Sequence, residues 1–253
     1  MATAAASDRT ASLRGRRVLV TGASGGIGAA VARRVATAGA KVAMLARSAD
    51  RLATLAAELG CDATAVPCDV TDLAALRNAV DTAADAMGGI DAIVANAGRV
   101  HMGHIATGDP ALWREFIDLN LTACLGTIRY GLDHVDTTPA DVVLVGSTAA
   151  RHPMEATGIY AATKTGLAAA AESLRLELGD RGIRVCLFEP GRVATEAGKN
   201  ARLEPGGRHG TMGPDIVPLA GDEVAEVIEF ILSRPANLAL NTVVARPVRQ
   251  GLP

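Results

Sequence analysis

The stretch Thr21-Gly22-Ala23-Ser24-Gly25-Gly26-Ile27-Gly28 follows a β-branched run, Arg17–Val20, and opens a helical pattern over Ile27–Ala38. Strand, glycine turn and helix in that order form the local arrangement that seats a dinucleotide. Gly22 lets the chain leave the strand in a tight turn. Gly26 lets backbone N–H groups approach a pyrophosphate, with Ile27 beside it. Gly28 lets the helix pack close to the sheet. The helix N-terminus adds the positive end of a dipole. Glycines at 22, 26 and 28 depart from the G-x-G-x-x-G spacing.

Outward from this turn the chain alternates short apolar runs with longer amphipathic ones. Arg17–Val20, Lys41–Leu45, Ala63–Val66, Asp91–Ala95, Val142–Val145, Arg184–Phe188 and Thr242–Ala245 read as strands. Ile27–Ala38, Ala49–Leu59, Leu73–Met87, Ala111–Leu132, Tyr160–Leu178 and Glu223–Leu232 read as helices. Asp72 and Asp222 stand at N-cap positions, and Gly39 and Gly60 at helix C-termini. Strands that are apolar throughout suit a parallel sheet covered on both faces. The alternation predicts an α/β, doubly wound Rossmann fold: seven parallel strands, helices on both faces, one domain over residues 15–253. Residues 1–14 read as a disordered tail. Residues 194–218, rich in Gly and Pro, read as a lid over a site, with a plain surface loop as the alternative.

Composition narrows the function classes. Hydrophobic residues make up 49% and aromatics 2% of the 253 residues, so the core is aliphatic. A net charge of −2 gives no electrostatic reason for a nucleic-acid partner. No apolar run is long enough to span a membrane. Cys61, Cys68, Cys124 and Cys186 fit no zinc template and read as reduced thiols of a cytoplasmic protein. His101 and His104 read as loop residues with no carboxylate or thiol to complete a metal site, so no metal is expected.

Four further motifs follow the glycine turn: Asn96-Ala97-Gly98, Ser147, Tyr160 with Lys164, and Pro190-Gly191. Tyr160 and Lys164, four apart on a helix, share a face. A free tyrosine, with a pKa of about 10, is a poor base near neutrality. An ammonium close by favours the phenolate and is expected to lower that value.

In these five motifs, and in the 13 positions from Ser147 to Tyr160 and four from Tyr160 to Lys164, the chain resembles the classical short-chain dehydrogenase/reductase family. The resemblance runs from about Leu13 to the end. It departs from the family at Ala95, where an Asn is usual. It implies a reversible, NADP(H)-dependent reduction of a ketone or aldehyde to an alcohol. Tyr160 would be the general acid/base, and Ser147 would bind the substrate oxygen. Lys164 would tune Tyr160 and hold the nicotinamide ribose. Asn120 would hold a water that links Lys164 to solvent, against the alternative of a polar residue facing solvent. Asp69 and Val70 would hold the adenine, and Asn96, Ala97 and Gly98 would lie beside its ribose. Pro190, Gly191, Val193 and Thr195 would wrap the nicotinamide amide.

Cofactor choice rests on the end of the second strand. Ala46 stands where NAD-preferring relatives place an Asp, so the charge that repels a 2′-phosphate is missing. Arg47 follows and can grip that phosphate, with the Ser24 hydroxyl beside it. Gly25 stands where many NADP-preferring relatives carry a second basic residue.

The substrate pocket is expected from Ser147, Ala149, Met154, Glu155 and Tyr160, with Val100, His101 and the lid. Glu155 would pair with a substrate amine or stand as a solvated carboxylate. The ending Asn241–Gln250, Gly146–Ala149 and Glu189–Gly191 are similar to a subgroup of 3-hydroxy acid (serine-type) dehydrogenases and clavulanate dehydrogenase. Alternatives are a 3-oxoacyl thioester reductase and a non-catalytic nucleotide-binding regulator; the intact Ser147, Tyr160 and Lys164 argue against the latter. Small or apolar residues on more than one face of Ala111–Leu132 and Tyr160–Leu178, including Ala168 to Ala171, leave a face for a symmetry mate and predict a homodimer, and the resemblance implies a homotetramer.

Overall fold

Val18 and Val20 of the first strand face one core, and Leu19 between them faces the other. The same alternation recurs in Val42 and Met44 against Ala43 and Leu45, and in Val143 and Val145 against Val142 and Leu144. Period-two geometry thus turns an uninterrupted apolar run into a contribution to two cores at once. In the computed structural model this central sheet is parallel, seven-stranded and covered on both sides. The structure describes residues 12–195, the backbone of 202–203, and residues 216–251. The predicted tail over 1–11 and lid over 196–201, 204–215 lie outside the described residues.

In chain order the elements are β1 (Arg17–Thr21), α1 (Gly26–Thr37), β2 (Lys41–Ala46), α2 (Ala49–Leu59), β3 (Ala63–Pro67) and α3 (Leu73–Met87). Next come β4 (Ala92–Ala95), β5 (His101–Met102), α4 (Pro110–Ile117), α5 (Ala123–Gly131), β6 (Ala140–Val145) and α6 (Gly158–Leu178). They are followed by β7 (Ile183–Pro190), β8 (Arg202–Leu203), α7 (Gly221–Leu232) and β9 (Thr242–Ala245). The sheet order is β3-β2-β1-β4-β6-β7-β9. Helices α1, α2 and α7 cover one face, and α3, α5 and α6 the other. The chain runs outward from β1 through β2 and β3, then returns to β4 on the other side of β1. That reversal opens a crevice beyond the strand C-termini, where ligands of such sheets bind.

The differences from the sequence reading are local. Ala111–Leu132 is not one α-helix: α4 and α5 flank a π-helical turn at Asp118–Thr122, closed by the Ala123 N–H on the Asp118 carbonyl. The N-cap of α7 is Ala220, not Asp222, because the Glu223 carboxylate accepts the Ala220 N–H at 2.7 Å. Asp72 does cap α3, accepting from Ala74 and Ala75. Residues 12–14, placed in the tail by sequence, pack on the domain. Leu13 is buried, its N–H bonds to the Ala38 carbonyl, and Ser12 donates to the buried Glu229. Apolar burial of one leucine thus fastens residues 12–14 to α1 and α7.

Opposite the crevice, charges stitch the strand starts together. Asp141 at the base of β6 accepts both Arg184 (2.7 and 2.8 Å) and Arg16 (2.7 Å). Arg17 pairs with Asp91 and Asp136. Cys61, Cys68, Cys124 and Cys186 are free thiols. Among the described residues no helix is long and apolar enough to cross a membrane, and no cluster of three metal-ligating side chains occurs.

Candidate active site

The crevice is a cleft of about 1110 Å³ above β1, β4 and β6. Its floor is set by glycines whose missing side chains are required by contacts. Gly22 has φ +70°, and a Cβ there would lie 2.9 Å from the Asn96 amide nitrogen and 3.0 Å from the Ala97 backbone. A Cβ on Gly28 would run into the Gly22 carbonyl and come 2.7 Å from Asn96 Nδ2. Gly28 therefore lies under the cleft and lets α1 meet the β1 turn and β4. The Thr21 hydroxyl, which the sequence reading passed over, ties the same two strands. It accepts the N–H groups of Asn96 and Ala97, each at 3.1 Å, while Asn96 Nδ2 donates to the Thr21 carbonyl. The first turn of α1 then opens into the cleft with Gly25 as N-cap and no side chain to occupy its donors. Those donors and the cradle of Gly22 and Gly26 fit a pyrophosphate.

The predicted cofactor residues line this cleft together: Gly22, Ser24, Gly26, Ile27, Ala46, Arg47, Asp69, Val70, Asn96, Ala97, Gly98, Pro190, Gly191, Val193 and Thr195. The Thr71 backbone N–H, then its hydroxyl and the charges of Arg47 and Arg99, holds the Asp69 carboxyl below the ordinary range. Ser147, at the end of β6, accepts the Ala149 N–H at 3.2 Å and begins a short 3-10 turn. Ser147, Tyr160 and Lys164 all face the cleft.

Lys164 is buried, and its Nζ donates to the Val145 carbonyl at 2.8 Å. Burial lowers its pKa to about 8. Tyr160 differs from expectation. In the chain alone its pKa is raised, because burial outweighs the hydrogen bond from Ser147. The Lys164 Nζ stands 5.9 Å from the Tyr160 ring centroid, and no lowering of Tyr160 by that ammonium is resolved. Below Lys164, burial pushes the Cys124 thiol up to about 12, so it stays neutral.

Asn120 is fully buried rather than solvent-facing. Its Oδ1 accepts the Arg99 N–H and its Nδ2 donates to the Arg99 carbonyl, both at 2.9 Å, with Thr163 Oγ1 at 3.4 Å. It ties the loop after Gly98 to α6. A Cβ on Gly98 would lie 3.0 Å from Asn120 Oδ1 and 3.6 Å from Lys164 Nζ, so this glycine is where the two polar groups draw near each other.

At the substrate end, Val100, Ala149 and Met154 line the cleft, whereas His101 and Glu155 do not. His101 lies in β5 rather than a loop. Strand alternation sends Met102 toward the cleft and His101 into the protein, where its ring packs on Phe116 at 4.6 Å. Glu155 is exposed on a turn closed by the Thr157 hydroxyl on the Met154 backbone. The sequence reading missed other lining residues: Arg51, Thr148, His152, Arg192 and Gln250. Gln250 accepts the Arg192 N–H at 2.9 Å, so the chain's last turn supports the loop after β7. Thr148 and Arg192 adjoin Ser147 and Gly191, and Arg51 stands four residues after Arg47, so local spacing could have marked these three; Gln250 enters only through its distant pairing with Arg192.

Serine 3-dehydrogenase of Agrobacterium fabrum (strain C58 / ATCC 33970) is 32% identical over 239 residues, covering 92% of this chain and 94% of the relative. The closed form of a serine dehydrogenase complexed with NADP+ superposes with a TM-score of 0.85 at 29% identity, covering 92% of this chain and 96% of that one. An alcohol dehydrogenase from the archaeon Thermococcus sibiricus, complexed with 5-hydroxy-NADP, gives 0.83 at 28% identity, covering 93% and 98%. The short chain dehydrogenase profile matches residues 16–206, and with the glycine cradle, the Ser147–Tyr160–Lys164 group and these likenesses over nearly the whole chain, the protein belongs to the short-chain dehydrogenase family of oxidoreductases.

Proposed function

We propose that the protein is an NADP(H)-dependent alcohol dehydrogenase or carbonyl reductase acting on small polar ketones or aldehydes. The observation that carries this reading is the convergence of Ser147, Tyr160 and Lys164 on one cleft whose other half fits a dinucleotide. A nicotinamide held by Pro190, Gly191, Val193 and Thr195 would supply or accept the hydride. The chain does the rest. Ser147 donates to the carbonyl oxygen and opposes the charge that grows there. Tyr160, kept protonated by burial, delivers its hydroxyl proton to that oxygen. Lys164 steadies the phenolate left behind and holds the ribose. Asn120 positions the water that refills the proton.

Arg47, with Ser24 beside it and no acid at Ala46, supports an adenosine 2′-phosphate. The NADP+ and 5-hydroxy-NADP in the similar structures support the same choice. His152 and Arg192 line the cleft and suit a carboxylate on the substrate, such as that of the serine for which the Serine 3-dehydrogenase relative is named. A second copy on the α5 and α6 side would give the homodimer or homotetramer.

The test is a panel of 3-oxo and 3-hydroxy acids, simple ketones and aldehydes, and 3-oxoacyl thioesters, each with NADPH and NADP+, with NADH and NAD+ in parallel. Turnover of an acid or simple carbonyl with NADP(H) is expected. Turnover confined to thioesters, or absent with every substrate, would overturn the reading.

A further inference from the structure

Gly25 leaves the glycine turn without a basic side chain, yet the space beside it holds one. A Cβ built on Gly25 would lie 3.8 Å from Nη1 of Arg51, and Arg51 lines the cleft with Ser24, Gly25, Arg47 and Ser48. Arg51 reaches there from the first turn of α2, where a cation opposes the helix dipole. It also stands four residues from Arg47, which precedes the helix and lines the same cleft. A dianion between the two guanidiniums would answer both cations with charge-assisted hydrogen bonds and oppose the helix dipole less than a lone cation does. Ser48, the N-cap of α2, makes no capping bond through its side chain, which leaves that hydroxyl for the same anion.

We infer that Arg51 is the second guanidinium for a phosphate monoester on the adenosine 2′-oxygen, entering from α2 into the place that a basic residue at position 25 would fill. The inference rests on the NADP(H) reading and assigns to it a specificity residue. It separates the roles of two neighbouring phosphates: the α1 donors take the bridging pyrophosphate, and Arg47 and Arg51 take the monoester. The competing role for Arg51 is the pyrophosphate itself, since Gly25 belongs to both regions.

Calorimetric titration of the full chain with adenosine 2′,5′-bisphosphate and with adenosine 5′-monophosphate distinguishes these roles. In R51A the bisphosphate should bind about 10- to 100-fold more weakly, the range for a charge-assisted contact, while the monophosphate changes by less than about twofold. R51K should recover part of the loss, since an ammonium keeps the charge but not the fork. Steady-state kcat/KM with NADPH should fall in step with the bisphosphate affinity. Equal loss of both nucleotides in R51A would place Arg51 on the pyrophosphate and overturn the inference, as would no loss of either. If wild type does not discriminate the bisphosphate from the monophosphate and R47A is equally silent, the NADP(H) reading falls with it. If R47A loses the bisphosphate and R51A does not, only the inference about Arg51 falls.

Discussion

Lys164 Nζ hydrogen-bonds the Val145 carbonyl at 2.8 Å where α6 packs on the sheet, so a cation that faces the cleft is held almost wholly buried. Its pKa falls from an ordinary 10.5 to about 8, and keeping it charged at neutral pH costs about 3 kcal/mol. Lys164→Met should therefore be more stable than wild type at pH 7 by about 1–3 kcal/mol, the lost bond to Val145 offsetting part of the gain. The folded pKa lies below the unfolded one. Between about pH 8 and 10.5 the unfolded chain binds a proton that the folded chain does not, so wild-type stability rises with pH there. The advantage of the variant is full below pH 8 and shrinks above it. Urea unfolding at pH 7 and pH 10 measures both points; a variant less stable at each would refute the account.

Tyr160→Phe keeps the ring and removes the proton. Turnover should fall by about 10² or more with NADPH affinity nearly unchanged. Lys164→Ala should damage both, because it serves the phenol and the ribose. Single-turnover rates and cofactor titration of the two variants, run side by side, decide it: substantial activity in the Phe variant removes Tyr160 from the acid/base role.

Arg47→Ala should cost NADPH about 1–3 kcal/mol in kcat/KM and leave NADH nearly as it was. A wild-type enzyme that prefers NADH, or a variant that loses both cofactors alike, contradicts the assignment.

Asp141 is 3% exposed and answers two arginines, Arg16 and Arg184, far from the cleft. Asp141→Ala strands both cations and should destabilise the fold by about 3–5 kcal/mol. Because the site is at the other end of the strands, kcat per folded molecule should hold. A loss of kcat with an unchanged unfolding midpoint would contradict that separation.

Assembly is checked by light scattering. Two or four copies of the 25.8 kDa chain are expected, and a mass of one copy would exclude the proposed pairing through α5 and α6.

The strand–turn–helix at Thr21–Gly28 and the spacing from Ser147 to Lys164 are local, so the fold and most of the residues that meet in the cleft could be read in order along the chain. Much of what escaped reading depends on residues distant in sequence. Thr21 matters because β4 lies beside it, and Arg51 because Gly25 leaves room for it. The Tyr160 pKa depends on burial, which a four-residue spacing does not express. His101 and Met102 exchange places because a two-residue strand fixes which of them turns inward. Glu155 stands as the solvated carboxylate of the two alternatives, because the turn closed by Thr157 leaves it exposed while Met154 lines the cleft.

The wide turn at Asp118–Thr122 adds one residue to a helical circuit, which advances everything after it by about 100° around the axis. It acts as a phase correction between two helices that have different neighbours: α5 keeps step with α3 and the sheet, while Asn120 is swung toward Arg99 and Thr163. A helical wheel drawn through Ala111–Leu132 loses register at this point. Deleting one residue there would yield a more regular helix and a misaligned amide. Within five residues, helical regularity and the Asn120 clamp on Arg99 and Thr163 are in competition, and the chain has kept the clamp.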